Sequence, residues 1–370
     1  MLPPISTTGQ KGERRWYTYM VMAHVPRPMM RTLVPILVVF SSAALAADPP
    51  PQSEAAFEEA YQFECNAPWV IVDSALVKYQ GWLYDYQGAQ LKVRREKEAP
   101  KGPVKLGLLA GIKDLEPETQ STLERFFAEF EKQDVELVVV GGDTAEQTEV
   151  LDQVYAWLPQ QTKRPIVSIA GNTERAGAHN YAIAKVRKTG AINLINMGLV
   201  RRYDGPGFDV VSLSGYHDKT YLHLSGGCIY SDQALTDAES AIRAADDPVV
   251  MLVHGPPRQS GKQALDFVPG AGNVGDARLT ELLKKLKVPF GVFGHILEAG
   301  GHATDLAGKP LPPKKPAAAL YVNQGSANPL PWKMNDGSTS YGLAAILTLD
   351  GRKASYEVLK APKPPPQPVE

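Results

Sequence analysis

Apolar positions along the chain fall into two rhythms. From about 54 to 98 they form a segment with its own character. Ala55 to Phe63 has helical spacing, Trp69–Val72 and Gln90–Arg94 read as short strands, and the aromatic stretch Tyr79 to Tyr86 lies between them. From Pro103 the pattern becomes strand, turn, helix. Val104 to Ala110 and Leu137 to Val140 are unbroken apolar runs, the signature of strands covered on both faces. Between them Pro117 to Lys132 places Leu123, Phe126, Phe127 and Phe130 on one helical face. The spacing predicts further strands at 166–170, 209–214, 249–253, 290–293 and 319–322. Helices are expected at 146–158, 177–188, 232–245 and 277–287. The end reads as a hairpin, 342–349 with 354–359, turning at Asp350-Gly351. Alternating strands and helices imply an α/β domain, with chemistry on loops at the carboxyl ends of strands.

Composition adds limits. The chain has 370 residues, 44 % apolar and 21 % charged, with a net charge of −1. That is ordinary globular composition, with no basic field to draw in nucleic acid. Two cysteines, Cys65 and Cys228, exclude a thiolate metal site and leave open one disulfide or two isolated thiols. Arg31, the apolar run Leu33 to Phe40 and the small residues Ser41 to Ala47 form the pattern of a secretory signal cleaved near Ala46. The run is shorter than the roughly 20 residues of a membrane span. Met29 or Met30 could be the start, or Arg14-Arg15 could belong to a twin-arginine leader. The expected protein is periplasmic or secreted. It has a leader over 1–47, a linker and small segment over 48–102, a main domain over 103–360 and a disordered proline-rich tail over 361–370.

The predicted strand ends carry a distinctive set of residues. In order they are Gly141-Gly142-Asp143-Thr144-Ala145-Glu146, Gly171-Asn172-Thr173-Glu174, His254-Gly255, Gly294-His295 and Asn323-Gln324-Gly325-Ser326. One carboxylate, one amide and two imidazoles brought to one sheet edge make a donor set suited to Zn, Mn or Fe.

This order resembles the calcineurin-like metallophosphoesterases, whose pattern is Asp-x-His, Gly-Asp, Gly-Asn-His-Asp/Glu, His and Gly-His-x-His. The resemblance covers about 103–360. It implies a two-sheet β-sandwich flanked by helices, in four α/β/β/α layers, with two metals between the sheets. It also implies that Asn172, His254 and His295 ligate one metal and that Asp143 bridges the pair. The other metal's ligands are largely lost: Gly111 and Lys113 stand where the first motif has Asp and His, and Leu297 replaces the second His of Gly-His-x-His. Thr173 stands where the family keeps the histidine that protonates the leaving group. A single divalent ion is therefore expected.

Two residues are candidates to compensate. Glu146 lies where some relatives place a ligand to the lost metal. Lys113 would pair with Asp143 or Glu146 and replace that metal's charge, an attraction of about 4 kcal/mol at about 4 Å. Asp143, His254, Lys113 and Glu174 are the expected catalytic residues; His217 and His302 are candidate stand-ins for the missing acid. The expected activity is hydrolysis of a phosphorylated small molecule or phosphodiester. An inactive binding or scaffold protein of the cell envelope is the alternative, and no nucleic-acid binding or stable membrane span is expected.

Overall fold

Residues 137–140 show why unbroken apolar runs are needed. Leu137 and Val139 enter a core between two sheets, while Val138 and Val140 point the other way, into helices. Val250 and Leu252 join the same inter-sheet core, and Val249, Met251 and Val253 turn outward to a second helical layer. Successive side chains on a strand alternate faces, so a strand covered on both sides must be apolar throughout. The computed structural model describes residues 51–97 and 102–363. The expected leader and most of the expected proline-rich tail lie outside them.

The first sheet has six strands in the order 353–360, 343–350, 104–109, 137–140, 166–168 and 194–196. The last four run parallel, and the hairpin closes one edge antiparallel. Helices Pro117–Lys132, Thr148–Gln161 and Ala176–Lys188 cover its outer face. The second sheet has ten strands and is mixed; 208–213, 249–253, 290–293 and 320–323 run parallel at its centre. Helices Asp232–Arg243 and Ala277–Leu286 cover its outer face. The four-layer α/β/β/α sandwich expected from the sequence is the observed fold. None of the described helices is long and apolar enough to cross a membrane.

The region before residue 103 differs from its reading in sequence. Trp69–Val72 is not a strand: Val72 donates to Gln87 and Val70 accepts from Ala89, with no continuing ladder. The strands are Ala75–Tyr79, Trp82–Gln87 and Gln90–Arg95. Gln80 and Gly81 both have positive φ, 49° and 85°, the requirement for the two-residue hairpin turn that joins the first two. Trp82, Tyr84 and Tyr86 alternate inward into the inter-sheet core. The third strand then pairs in parallel with 202–205. The early segment thus extends the larger sheet by three strands.

Candidate metal centre

Strand register aligns the loops that matter. Leu109 lies opposite Val140, and Val140 opposite Ser168, so Gly111, Asp143 and Asn172 follow neighbouring strand ends in the first sheet. In the second sheet, His254 and His295 follow the adjacent parallel strands 249–253 and 290–293. The loops interlock through backbone hydrogen bonds: Gly111 N–H to Gly142 O, Lys113 N–H to Thr144 O and Gly294 N–H to His254 O.

Four donor atoms converge where the two sheets meet. His254 Nε2 lies 2.9 Å from Asn172 Oδ1 and 3.1 Å from Asp143 Oδ1. His295 Nδ1 lies 2.8 Å from the same Asn172 oxygen. Asn172 and His254 are buried, and the Asp143 side chain is only 12 % exposed. Asp143 and His295 both sit in the left-handed backbone region, at φ 53° and 62°, a conformation that clusters at functional sites in non-glycine residues.

The hydrogen bonds around this cluster fix what each atom presents. Asn172 Nδ2 donates to Tyr221 O at 2.6 Å, which turns Oδ1 toward the imidazoles. His254 Nδ1 faces Gly141 O at 2.9 Å and must donate to it, which leaves Nε2 with a lone pair in the neutral ring. That lone pair then faces two oxygens. Such an arrangement is repulsive unless a proton or a cation lies between, so the donor set fits a divalent cation.

Charge follows the same geometry. Burial alone would raise the Asp143 carboxyl, but His254 beside it, with smaller effects from His295 and Lys113, holds it well below the usual carboxylate range. Burial would lower His254, yet Asp143 on one nitrogen and Gly141 O on the other raise it. Burial, then the neighbouring His254, pushes His295 down to about 3. Without a cation, the single proton belongs on His254 Nε2.

Glu174 does not reach this cluster. One carboxylate oxygen accepts from Thr144 N–H; the other accepts from Gly171 N–H at 2.7 Å and Thr173 Oγ1 at 3.2 Å. It clamps the Asp143 loop to the Asn172 loop, a positioning role in place of the catalytic one expected. Burial, then the Asp143 charge, raises its carboxyl. Thr173 Oγ1 also lies 3.2 Å from Asp143 Oδ1. Lys113 departs from expectation too. It is exposed, its Nζ lies 5.4 Å from the centre of the Trp332 ring, and it makes no ion pair with Asp143 or Glu146 among the described residues. An ammonium over an aromatic face keeps its hydration, which burial against a carboxylate would cost. Glu146 is likewise exposed and faces His223 Nδ1 at 3.5 Å rather than the donor set.

Of the candidate stand-ins, His217 packs against Tyr216 with ring centroids 4.4 Å apart and planes tilted by 50°, and burial lowers it. His302 lines a cavity of about 310 Å³ whose walls include none of the four converging residues. Sequence reasoning missed the wall of the site. The Tyr216 ring lies 3.9 Å from that of His295, and Tyr221 meets it edge-on at 6.0 Å. Both tyrosines belong to a loop without periodicity. That loop is tied to the Asn172 loop by Gly215 N–H to Ala170 O and Cys228 N–H to Glu174 O, and to the early segment by a disulfide between Cys65 and Cys228.

Close packing makes one glycine indispensable. A Cβ on Gly171 would overlap the Asp143 carboxylate and come within 2.6 Å of its backbone nitrogen. Gly171→Ala is therefore expected to displace Asp143, weaken cation binding and cost about 1–3 kcal/mol of stability. Thermal melts with and without added cation test this: the variant should lose the cation-dependent part of its stability as well as some of the basal part.

The calcineurin-like phosphoesterase family model matches residues 114–299, half of the chain, a span that contains all four converging residues. No curated protein matches the sequence. One solved structure aligns with a TM-score of 0.51 at 14 % identity, over 70 % of this chain and 99 % of that one. Others include a dimetal phosphatase from Danio rerio, with 14 % identity, TM-score 0.42, 70 % of this chain and 99 % of that one. A purple acid phosphatase from yellow lupin (Lupinus luteus) seeds has 13 % identity and a TM-score of 0.46, over 75 % of this chain and 56 % of that one. At these identities the structural likeness speaks to fold alone. With the family model spanning the site, the chain belongs to the calcineurin-like phosphoesterases.

Proposed function

We propose that this protein is an exported phosphoester hydrolase that works with one divalent cation, Mn, Zn or Fe, held by Asp143, Asn172, His254 and His295. The carrying observation is the convergence of His254 Nε2, His295 Nδ1, Asn172 Oδ1 and Asp143 Oδ1, with His254 oriented by Gly141 O and Asn172 by Tyr221 O. The positions where the family holds a second metal are occupied by Gly111, Lys113 and Leu297, of which Lys113 points to Trp332. When bound, a divalent cation supplies Lewis-acid polarisation of a phosphoryl oxygen. The chain's own residues do the rest. Asn172 is oriented by Tyr221 O, His254 by Gly141 O, and Glu174 holds the Asp143 and Asn172 loops together. The substrate class is a phosphorylated small molecule or a phosphodiester. Purified protein assayed on aryl phosphate mono- and diesters with Mn or Zn tests the reading; cation binding without turnover of any of them would favour a binding or scaffold protein instead.

Cation binding should carry a specific pH dependence. His254, whose pKa is raised, must lose a proton to ligate, whereas His295, lowered to about 3, and Asp143, held ionised, need not. Affinity should therefore be full above the raised pKa of His254. It should fall about tenfold per pH unit below it, with a slope of one proton rather than two. Chelator competition between about pH 5 and about pH 8 measures the slope.

A further inference from the structure

Beside Asn172 the site carries Thr173 rather than an ionisable side chain. Thr173 Oγ1 is engaged with Asp143 and Glu174, and a threonine hydroxyl is a poor acid. Another imidazole stands on the loop whose Tyr216 and Tyr221 wall the same site. His223 is about half exposed, and its Nδ1 lies 3.5 Å from Glu146 Oε2. Both halves of this pair spring from the loops that build the cluster. Glu146 lies three residues beyond Asp143, and His223 lies two beyond Tyr221, whose carbonyl orients Asn172.

Given the reading of the site as a phosphoester hydrolase, we infer that His223 is its general acid and that Glu146 positions the ring. Glu146 faces Nδ1, so Nε2 is the nitrogen left to donate, and it has no partner among the described residues. In the reaction, water attacks phosphorus and the bond to the leaving oxygen breaks with its electron pair. The proton on His223 Nε2 passes to that oxygen, giving the neutral alcohol. A proton from the attacking water returns to the imidazole through solvent. Glu146 stabilises the imidazolium that precedes transfer, the part a carboxylate plays beside a catalytic histidine. The pair also gives Glu146 a role once it is no longer a metal ligand. His217 is a weaker candidate because burial lowers it toward the neutral, non-donating form.

The test compares two substrates that differ only in how much their leaving group needs a proton. Para-nitrophenyl phosphate releases a stable phenolate; phenyl phosphate does not. General acid catalysis contributes about 10²–10⁴-fold. His223→Gln is thus expected to lower kcat on phenyl phosphate by about 100-fold or more, with KM and metal content unchanged, and barely to affect para-nitrophenyl phosphate. Added imidazole should restore part of the loss in His223→Ala. Glu146→Gln should show the same split between substrates to a smaller degree, in kcat and not in KM. Equal loss on both substrates, or loss on neither, overturns the inference while leaving the hydrolase reading intact. Failure of the wild-type protein to turn over either substrate with its cation bound overturns both.

Discussion

Replacing His254 with alanine is expected to strip the cation and the activity together while leaving the fold in place. This side chain touches every other part of the cluster. Its Nε2 lies within 3.1 Å of both Asp143 and Asn172 oxygens, and its Nδ1 is bonded to the Gly141 carbonyl. Mutating partners that merely support a metal ligand costs about 10–100-fold in affinity, so removing a ligand should cost about 100-fold or more. Turnover should fall at least as far. The change also leaves the buried Gly141 carbonyl without its donor, a cost of about 1–3 kcal/mol. The variant should therefore fold, with a lowered Tm that added Mn or Zn no longer raises. His302→Ala, which alters a cavity apart from the cluster, serves as the control and should keep its cation response. A His254→Ala protein that binds cation as tightly as the parent would remove His254 from the donor set.

The largest effect on stability should come from the disulfide. Cys65 and Cys228 are 163 residues apart in the chain, so their link closes a long loop and restricts the unfolded state strongly. The chain-entropy model gives about 5 kcal/mol for such a loop, and native bridges typically give about 2–5 kcal/mol when removed. The effect should reach the site as well. Cys228 N–H donates to Glu174 O, Tyr216 N–H donates to Cys228 O, and Tyr221 in the same loop orients Asn172. Cys228→Ser, or reduction of the parent protein, is expected to lower Tm markedly and to weaken cation binding more modestly. Melts with and without reductant, at fixed cation, measure both. A Tm indifferent to reductant would mean that the two thiols are not joined.

Residues whose chemistry is local were the ones readable from sequence. Leu137–Val140 and Val249–Val253 read as strands covered on both faces, and a polar residue follows each, Asp143 after two glycines and His254 directly. That pattern implies an α/β domain with four polar side chains at strand ends; the two-sheet sandwich is what the resemblance to the calcineurin-like phosphoesterases implies. The places expected for Lys113 and Glu146, beside the lost metal position, rest on the resemblance, and both side chains lie elsewhere. Lys113 found the Trp332 face more than 200 positions later, and Glu146 found His223 across a loop. Nothing in the local pattern encodes such long-range choices. The aromatic stretch before residue 87 failed for another reason. Trp82, Tyr84 and Tyr86 alternate with polar or half-buried positions, which is strand periodicity. The Gln80-Gly81 turn, with positive φ at both residues, splits the stretch between two strands.

Metal content of the purified protein, measured by elemental analysis against protein concentration, bears most directly on the reading of the site as a one-cation centre. One divalent ion per chain, lost in His254→Ala, is the expected result. Two ions per chain at full occupancy would contradict it, and so would none at all after loading with Mn, Zn or Fe.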